Sequence, residues 1–289
     1  MIFVLKISCL DRPGLVADLA TRLRDLDCNI LESSQFFQPN PGTTREEGIG
    51  QFFMRLECNT TKSNLEEIDS SLDKFRTDYE ANVLLFPRQA IVPTILMVSK
   101  FDHCLQDILY RVQTETLPIE IAAVVSNHVE SRAAVERLGI PFHLWHVTKE
   151  NKAEQEEKLD ELVQRTGAEL IVLARYMQIL SDGFSSKYFS KIINIHHSFL
   201  PAFKGAKPYH RAWERGVKHI GATAHYVTPD LDEGPIIEQG TERVSHSCDA
   251  EELVRRGRDI EARVLSRAIK LHAEQRVFIN GSRTVVFED

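Results

Sequence analysis

The densest run of groups able to do chemistry is INIHHSFLP, Ile193 to Pro201, followed about 30 residues later by Leu231-Asp232-Glu233-Gly234-Pro235. Side chains alternate along an extended segment, so Asn194 and His196 project to one face and Ile195 and His197 to the other. An amide and an imidazole stand side by side, and a later loop can bring a carboxylate to them. Moving an acyl group calls for a donor to the oxygen that becomes negative, a group that transfers a proton, and an anion that holds the nucleophile or the imidazolium. Asn194, His196 and Asp232 are therefore the candidate catalytic residues.

Plainer readings compete with each of them. A lone histidine in a strand is more often a packed core or surface residue than a catalyst, and an asparagine serves turns. Ser198 beside His197 could be a nucleophile, but it lacks the strained GxSxG elbow. His196, His197, His210, His225 and Asp232 invite a metal, yet no HExxH or His/Cys ligand spacing occurs, and none is expected. Gly205, Gly216 and Gly221 read as turn positions. The five cysteines are widely spaced, with no CxxC pair, and read as small hydrophobes.

The elements that would position these groups fall into two sets. Phe3, Leu5, Ile7 and Cys9 alternate as a strand, and Asp11-Arg12-Pro13-Gly14 opens a helix with Leu15, Leu19, Leu23 and Leu26 on one face. Strands at 29–38 and 52–58, a helix over Leu65, Ile68, Leu72 and Phe75, and a strand at 82–86 complete a βαββαβ order. Past the polar stretch 87–89 the pattern becomes alternating strand and helix, the mark of a doubly wound, mostly parallel α/β sheet. Strands are expected at 91–99, 119–126, 142–147, 169–174 and 192–196, with helices at about 101–113, 131–138 and 149–166. A ligand belongs at the carboxyl ends of such strands. Asp249 and Glu252 form a capping box for a long helix to about His272, and Asn280-Gly281 marks a hairpin within 276–287. The expected domains are 1–88 and 89–289.

The 289 residues carry a net charge of −7 with 43% hydrophobic side chains. That balance speaks against a phosphate-tracking basic surface, and so against nucleic acid. No stretch reaches the ~20 apolar residues of a membrane span. The apolar run from Met1 to Cys9 lacks a basic flank and a cleavage site, so it reads as a strand and not a signal peptide, and the expected setting is the cytoplasm.

Three runs carry a family resemblance: ARYMQIL from Ala174, INIHHSFLPAFKGAKPYHRAWERG from Ile193 and GATAHYVTPDLDEGPIIEQ from Gly221. In this order and spacing they resemble the formyltransferase-fold family, which includes glycinamide ribonucleotide transformylases and formyltetrahydrofolate deformylases. The resemblance covers about two thirds of the chain and implies a reduced folate, 10-formyltetrahydrofolate, as substrate, with no tightly bound cofactor. It implies that Asn194 donates to the formyl oxygen, that His196 stabilises the oxyanion and moves a proton, and that Asp232 positions His196 and the attacking water. Met177, Gln178, Ile179 and Leu180 would offer backbone groups to the pterin edge, faced by Val227, Thr228 and Asp230. Arg175, Lys204, Lys207 and Arg211 read as solvated charges within reach of the folate's glutamate tail.

Family members that formylate a ribonucleotide amine carry a Gly-Ser-Asn-rich loop after the first strand of this domain, where backbone amides cradle a phosphate. Here the corresponding stretch is Ser99-Lys100-Phe101-Asp102-His103-Cys104, without glycine and with an anionic side chain. Water becomes the default nucleophile. His197, where transformylases tend to have proline, fits the deformylase pattern and is expected to buttress the site from behind. Hydrolysis would supply formate for purine synthesis and balance the one-carbon folate pool. The βαββαβ unit and its Asp11-Arg12-Pro13-Gly14-Leu15 opening resemble an ACT domain, a ferredoxin-like module that senses small molecules. That resemblance implies a homo-oligomer and an amino-acid effector near Gly14 and Asn29. A formyltransferase with an unidentified amine acceptor, and a non-catalytic folate and amino-acid sensor, are the alternative functions.

Overall fold

The computed structural model describes residues 1–61, 64–201 and 208–288. The chain forms two compact units, and Gly205, Lys204 and Lys207 lie outside the described residues. The first unit contains β1 (Ile2–Leu10), α1 (Leu15–Asp25), β2 (Cys28–Pro39), β3 (Gly50–Thr60), α2 (Leu65–Ser71), α3 (Asp73–Tyr79) and β4 (Asn82–Pro87). Its antiparallel sheet has the order β2-β3-β1-β4. Alternation works as expected: Phe3, Leu5 and Ile7 of β1 and Met54, Leu56 and Cys58 of β3 bury one face against Leu19 and Leu23 of α1.

The helix expected through Leu72 is instead two short helices. Side chains there compete for the backbone acceptors: Ser71 Oγ donates to the Ile68 carbonyl at 2.6 Å and Arg76 Nη1 to the Asp69 carbonyl at 2.7 Å. The break lets Ile68, Leu72 and Phe75 all reach the same core.

Residues Glu274–Phe278 and those from Val285 onward group with this first unit, although the sequence pattern assigned them to the second domain. Buried cations account for the difference. Lys6 Nζ donates to the Val277 carbonyl at 2.8 Å and lies 4.7 Å from the Phe278 ring centroid. The sealed Arg55 meets Glu32 at 3.2 Å and the Glu274 carbonyl at 3.4 Å. Charges this deep need partners, and the C-terminal segment supplies them. Burial, aided by Arg55, lowers the Lys6 pKa to about 8.

The second unit contains β5 (Val92–Val98), α4 (His103–Gln113), β6 (Ile119–Ser126), α5 (Arg132–Glu136), β7 (Phe142–Leu144), α6 (Lys152–Thr166) and β8 (Leu170–Leu173). It continues through α7 (Asp182–Lys187), β9 (Ile192–His196), α8 (Pro208–Arg215), β10 (His219–Tyr226), β11 (Ile236–Arg243) and α9 (Ala250–Ala273). The sheet order is β11-β10-β9-β8-β5-β6-β7, parallel from β7 to β9, with β10 and β11 added antiparallel. This is the doubly wound α/β sheet expected from the sequence, extended by two strands that the pattern did not reveal. Gly221 lies inside β10, where a Cβ would come 2.5 Å from the Gly240 carbonyl oxygen, so its role is close strand packing and not a turn. The expected capping box forms by half. Glu252 N donates to Asp249 Oδ1 at 2.7 Å, but the Glu252 carboxylate turns to Arg256 at 2.8 Å. Asn280-Gly281 joins β12 (Val277–Asn280) to β13 (Arg283–Val286) as a hairpin.

The winding reverses between β5 and β8, which neighbour each other while their connections run to opposite sides of the sheet. At their carboxyl ends Ser99 N donates to the Arg175 carbonyl at 3.2 Å, and Met177 N donates to Ser99 Oγ at 2.9 Å. A crevice opens here by topology alone. The central β5 is packed on both faces, and Ile95 is fully buried between sheet and helices. Ile95→Ala is expected to destabilise the second unit by about 2–5 kcal/mol, read as a lower urea midpoint with an unchanged slope.

Candidate active site

Asn194 and His196 stand two residues apart on β9, and the antiparallel β10 lies beside them with His225 opposite Asn194 and Thr223 opposite His196. Beyond β10 the chain loops back, and Asp232 arrives with a left-handed φ of 58°. Gly234 makes that return possible: a Cβ there would fall 1.7 Å from the Tyr226 carbonyl oxygen and 3.2 Å from His225 Nδ1. Tyr226 N also donates to the Pro235 carbonyl at 2.9 Å, which pins the far end of the loop.

These constraints put Asp232 Oδ1 3.1 Å from His196 Nδ1. The carboxylate accepts, so Nδ1 carries the proton and Nε2 presents its lone pair. His196 Nε2 is buried and has no hydrogen-bond partner among the described residues. It faces a cavity of about 600 Å³ lined by Asn194, His196, His225 and Asp232. The hydrogen bond from His196 keeps the Asp232 carboxyl below the ordinary range despite partial burial.

His225 entered the sequence reading only as a metal candidate, and the structure gives it a different place. Its Nδ1 lies 2.9 Å from the Tyr226 carbonyl and must donate, which leaves Nε2 to accept from Asn194 Nδ2 at 3.2 Å. The amide of Asn194, which lines the cavity, is thereby oriented. Burial holds His225 below its ordinary pKa, so the ring is neutral.

The expected folate-facing residues divide. Met177, Gln178, Ile179 and Leu180 line the cavity together with Val227 and Thr228. Asp230 does not line it; its exposed position contributes only a carbonyl that accepts from Thr228 Oγ1 at 3.0 Å and so shapes the loop. His197 lies past the end of β9, which is why it does not point away from His196: the two rings stand 5.1 Å apart at 32°. Gly14, with φ 87° before α1, and the exposed Asn29 on β2 belong to the first unit.

Arg175 departs from its reading as a solvated charge. It is only 12% exposed, and its Nε lies 3.3 Å from Oε2 of the sealed Glu261 on α9. His103 and Tyr209 meet the same carboxylate at 2.8 Å each. His103, Cys104 and Glu261 have ligand atoms within 4.8 Å of one another. The guanidinium on that carboxylate and a thiol pushed well above its ordinary pKa by burial make the set a poor cation site.

Burial, and then the nearby Arg175, lower His197 from 6.5 to about 4. A histidine whose folded pKa is depressed contributes stability that is complete above the unfolded value and lost as pH falls through the folded one. Between pH 6.5 and 4 this group is expected to cost the fold up to about 3 kcal/mol. Urea unfolding of His197→Gln across that window should show a flatter pH dependence than the parent.

Comparison with known proteins agrees with this geometry. The formyl transferase family matches residues 93–269. A formyltetrahydrofolate deformylase of Bacillus subtilis (strain 168) is 47% identical over 98% of this chain and 93% of its own length. The crystal structure of the formyltetrahydrofolate deformylase from Burkholderia mallei superposes with a TM-score of 0.91 at 42% identity, covering 99% of both chains. Glycinamide ribonucleotide transformylase 1 from Symbiobacterium toebii is 31% identical with a TM-score of 0.65, covering 70% of this chain and 97% of its own. The chain thus belongs to the formyl transferase family, in its formyltetrahydrofolate deformylase branch.

Proposed function

We propose that the chain hydrolyses 10-formyltetrahydrofolate to formate and tetrahydrofolate, with Asn194, His196 and Asp232 as the reacting groups and no tightly bound cofactor. The observation that carries this reading is His196 Nε2, without a partner among the described residues, its ring held by Asp232 and directed into the cavity beside the oriented amide of Asn194. The formyl oxygen accepts from Asn194 Nδ2. Water adds to the formyl carbon as one of its protons passes to His196 Nε2, the resulting oxyanion is held by Asn194 and the imidazolium, and the C–N10 bond breaks as N10 takes that proton. Asp232 keeps the imidazole oriented and stabilises its charged form.

The loop after β5 supports water as the nucleophile. Ser99 is buried and used internally, with Oγ donating to Asn127 Oδ1 at 2.7 Å, while Phe101 enters the cavity lining. Asp102 precedes α4 where a bound phosphate would sit, and like charges at such range repel. Met177 to Leu180 and Val227 to Thr228 are proposed to hold the pterin, with His197 behind His196.

The first unit is proposed to be an ACT domain, the domain boundary falling near residue 88, that builds a homo-oligomer and takes an amino acid near Gly14 and Asn29. The sheet order and the apolar side chains left exposed on its edge strands, Leu31 and Phe36 on β2 and Leu84 on β4, support pairing between copies. The apolar N-terminal run is β1, paired on both sides within the sheet, and the proposed setting of the enzyme is the cytoplasm.

Incubation with 10-formyltetrahydrofolate and no acceptor is expected to yield formate and tetrahydrofolate in equal amounts. Asp232→Asn and His196→Ala should each lower kcat by about 10²–10⁴, with folate binding by equilibrium titration little changed. Turnover near the parent level in both variants, or tight folate binding without formate from the parent, contradicts the assignment.

A further inference from the structure

The cavity holds a second charged cluster that the formyl chemistry leaves unused. Glu261 is 1% exposed and both of its oxygens are occupied from within the chain. Oε1 accepts from Tyr209 Oη at 2.8 Å, and Oε2 meets His103 Nε2 at 2.8 Å and Arg175 Nε at 3.3 Å. The four side chains come from α9, α8, the start of α4 and the turn after β8, and all of them line the cavity that contains Asn194, His196 and Asp232.

Two carboxylates line this cavity among the described residues, Asp232 and Glu261. Asp232 is engaged with His196, so Glu261 is the group that could receive an amine or an ammonium by a charge-assisted hydrogen bond. Both of its oxygens are instead engaged by donors from within the chain, and a guanidinium already neutralises its charge. Beside it, the Arg258 guanidinium lies 5.1 Å from the Phe101 ring centroid and adds positive charge at the cavity wall. His103 belongs to the same loop that, in family members with a ribonucleotide acceptor, cradles the acceptor's phosphate. A buried ion cluster is a poor way to gain stability, since well-packed apolar side chains do as well.

We infer that Glu261, paired inward with His103, Arg175 and Tyr209, determines acceptor specificity by closing this part of the cavity to amines, so that the formyl group passes to water. The inference rests on the hydrolytic reading above. In hydrolysis a C–O bond to water forms, the C–N10 bond breaks, one water proton reaches N10 and the other leaves with ionisation of formic acid. With an amine, a C–N bond forms instead, the amine gives up one proton and N10 gains one. Loosening the cluster should let the second reaction compete with the first.

The test supplies 10-formyltetrahydrofolate with excess glycinamide, a small primary amine, and measures N-formylglycinamide and formate by mass spectrometry. His103→Gly removes both a donor to Glu261 and the imidazole volume. Tyr209→Phe removes the hydroxyl donor to Oε1 with almost no change in volume and keeps the question open to test if the first variant does not fold. The parent should give formate alone, and either folded variant should raise the ratio of formylated amine to formate by about tenfold or more. Formate release by the variants with an unchanged ratio overturns this inference alone. A parent that releases no formate overturns the hydrolytic reading, and this inference with it.

Discussion

Asn194 and His225 face each other across the antiparallel pairing of β9 with β10, and the loop that β10 feeds returns Asp232 to His196. Almost every feature of the site depends on that one register. A shift of one residue would turn His196 toward the opposite face of the sheet and remove the acceptor that orients the Asn194 amide. The parallel strands β5 and β8 make the crevice, but they contribute backbone and loop ends to it. The side chains proposed to react come from the place where the sheet changes from parallel to antiparallel. Gly234 belongs to the same constraint, because only a residue without Cβ lets the loop lie against the Tyr226 carbonyl.

The parts of the fold that follow a local period were legible in the amino-acid sequence. The alternation of Phe3, Leu5 and Ile7, and the strand and helix alternation from Ile91 onward, report burial on one face or in one layer. β10 was not legible for a related reason. From Ile220 to Tyr226 every residue is buried, so the strand shows no alternation to detect, and His225 had no strand to be placed on. Asn194 and His196 were adjacent by simple spacing, while their meeting with Asp232 depends on a loop closure that spacing does not encode. Glu261 and Arg175 were less visible still. A glutamate within a long helix and an arginine after a strand each look solvated until elements distant in sequence bring them together. The split at Leu72 and the grouping of Glu274–Phe278 with the first unit have the same origin, since both answer to side-chain partners far along the chain or hidden from the hydrophobic pattern.

The electrostatics around His196 separate the roles of its neighbours. His197 and His225 are both held neutral by burial, and Asp232 is held ionised by the bond it accepts from His196. Among the described residues, an imidazolium forming at His196 therefore meets one anion and two neutral rings. If either neighbouring histidine were solvated and charged, the proton transfer would work against a like charge a few ångströms away. Farther out lies Arg175, whose charge is balanced by Glu261. The same salt bridge thus serves two ends: it offsets a cation near the histidine pair, and it neutralises a carboxylate that would otherwise attract an incoming amine. A site arranged this way stabilises charge only where the formyl group reacts, which is the condition for holding a transition state more tightly than the substrate.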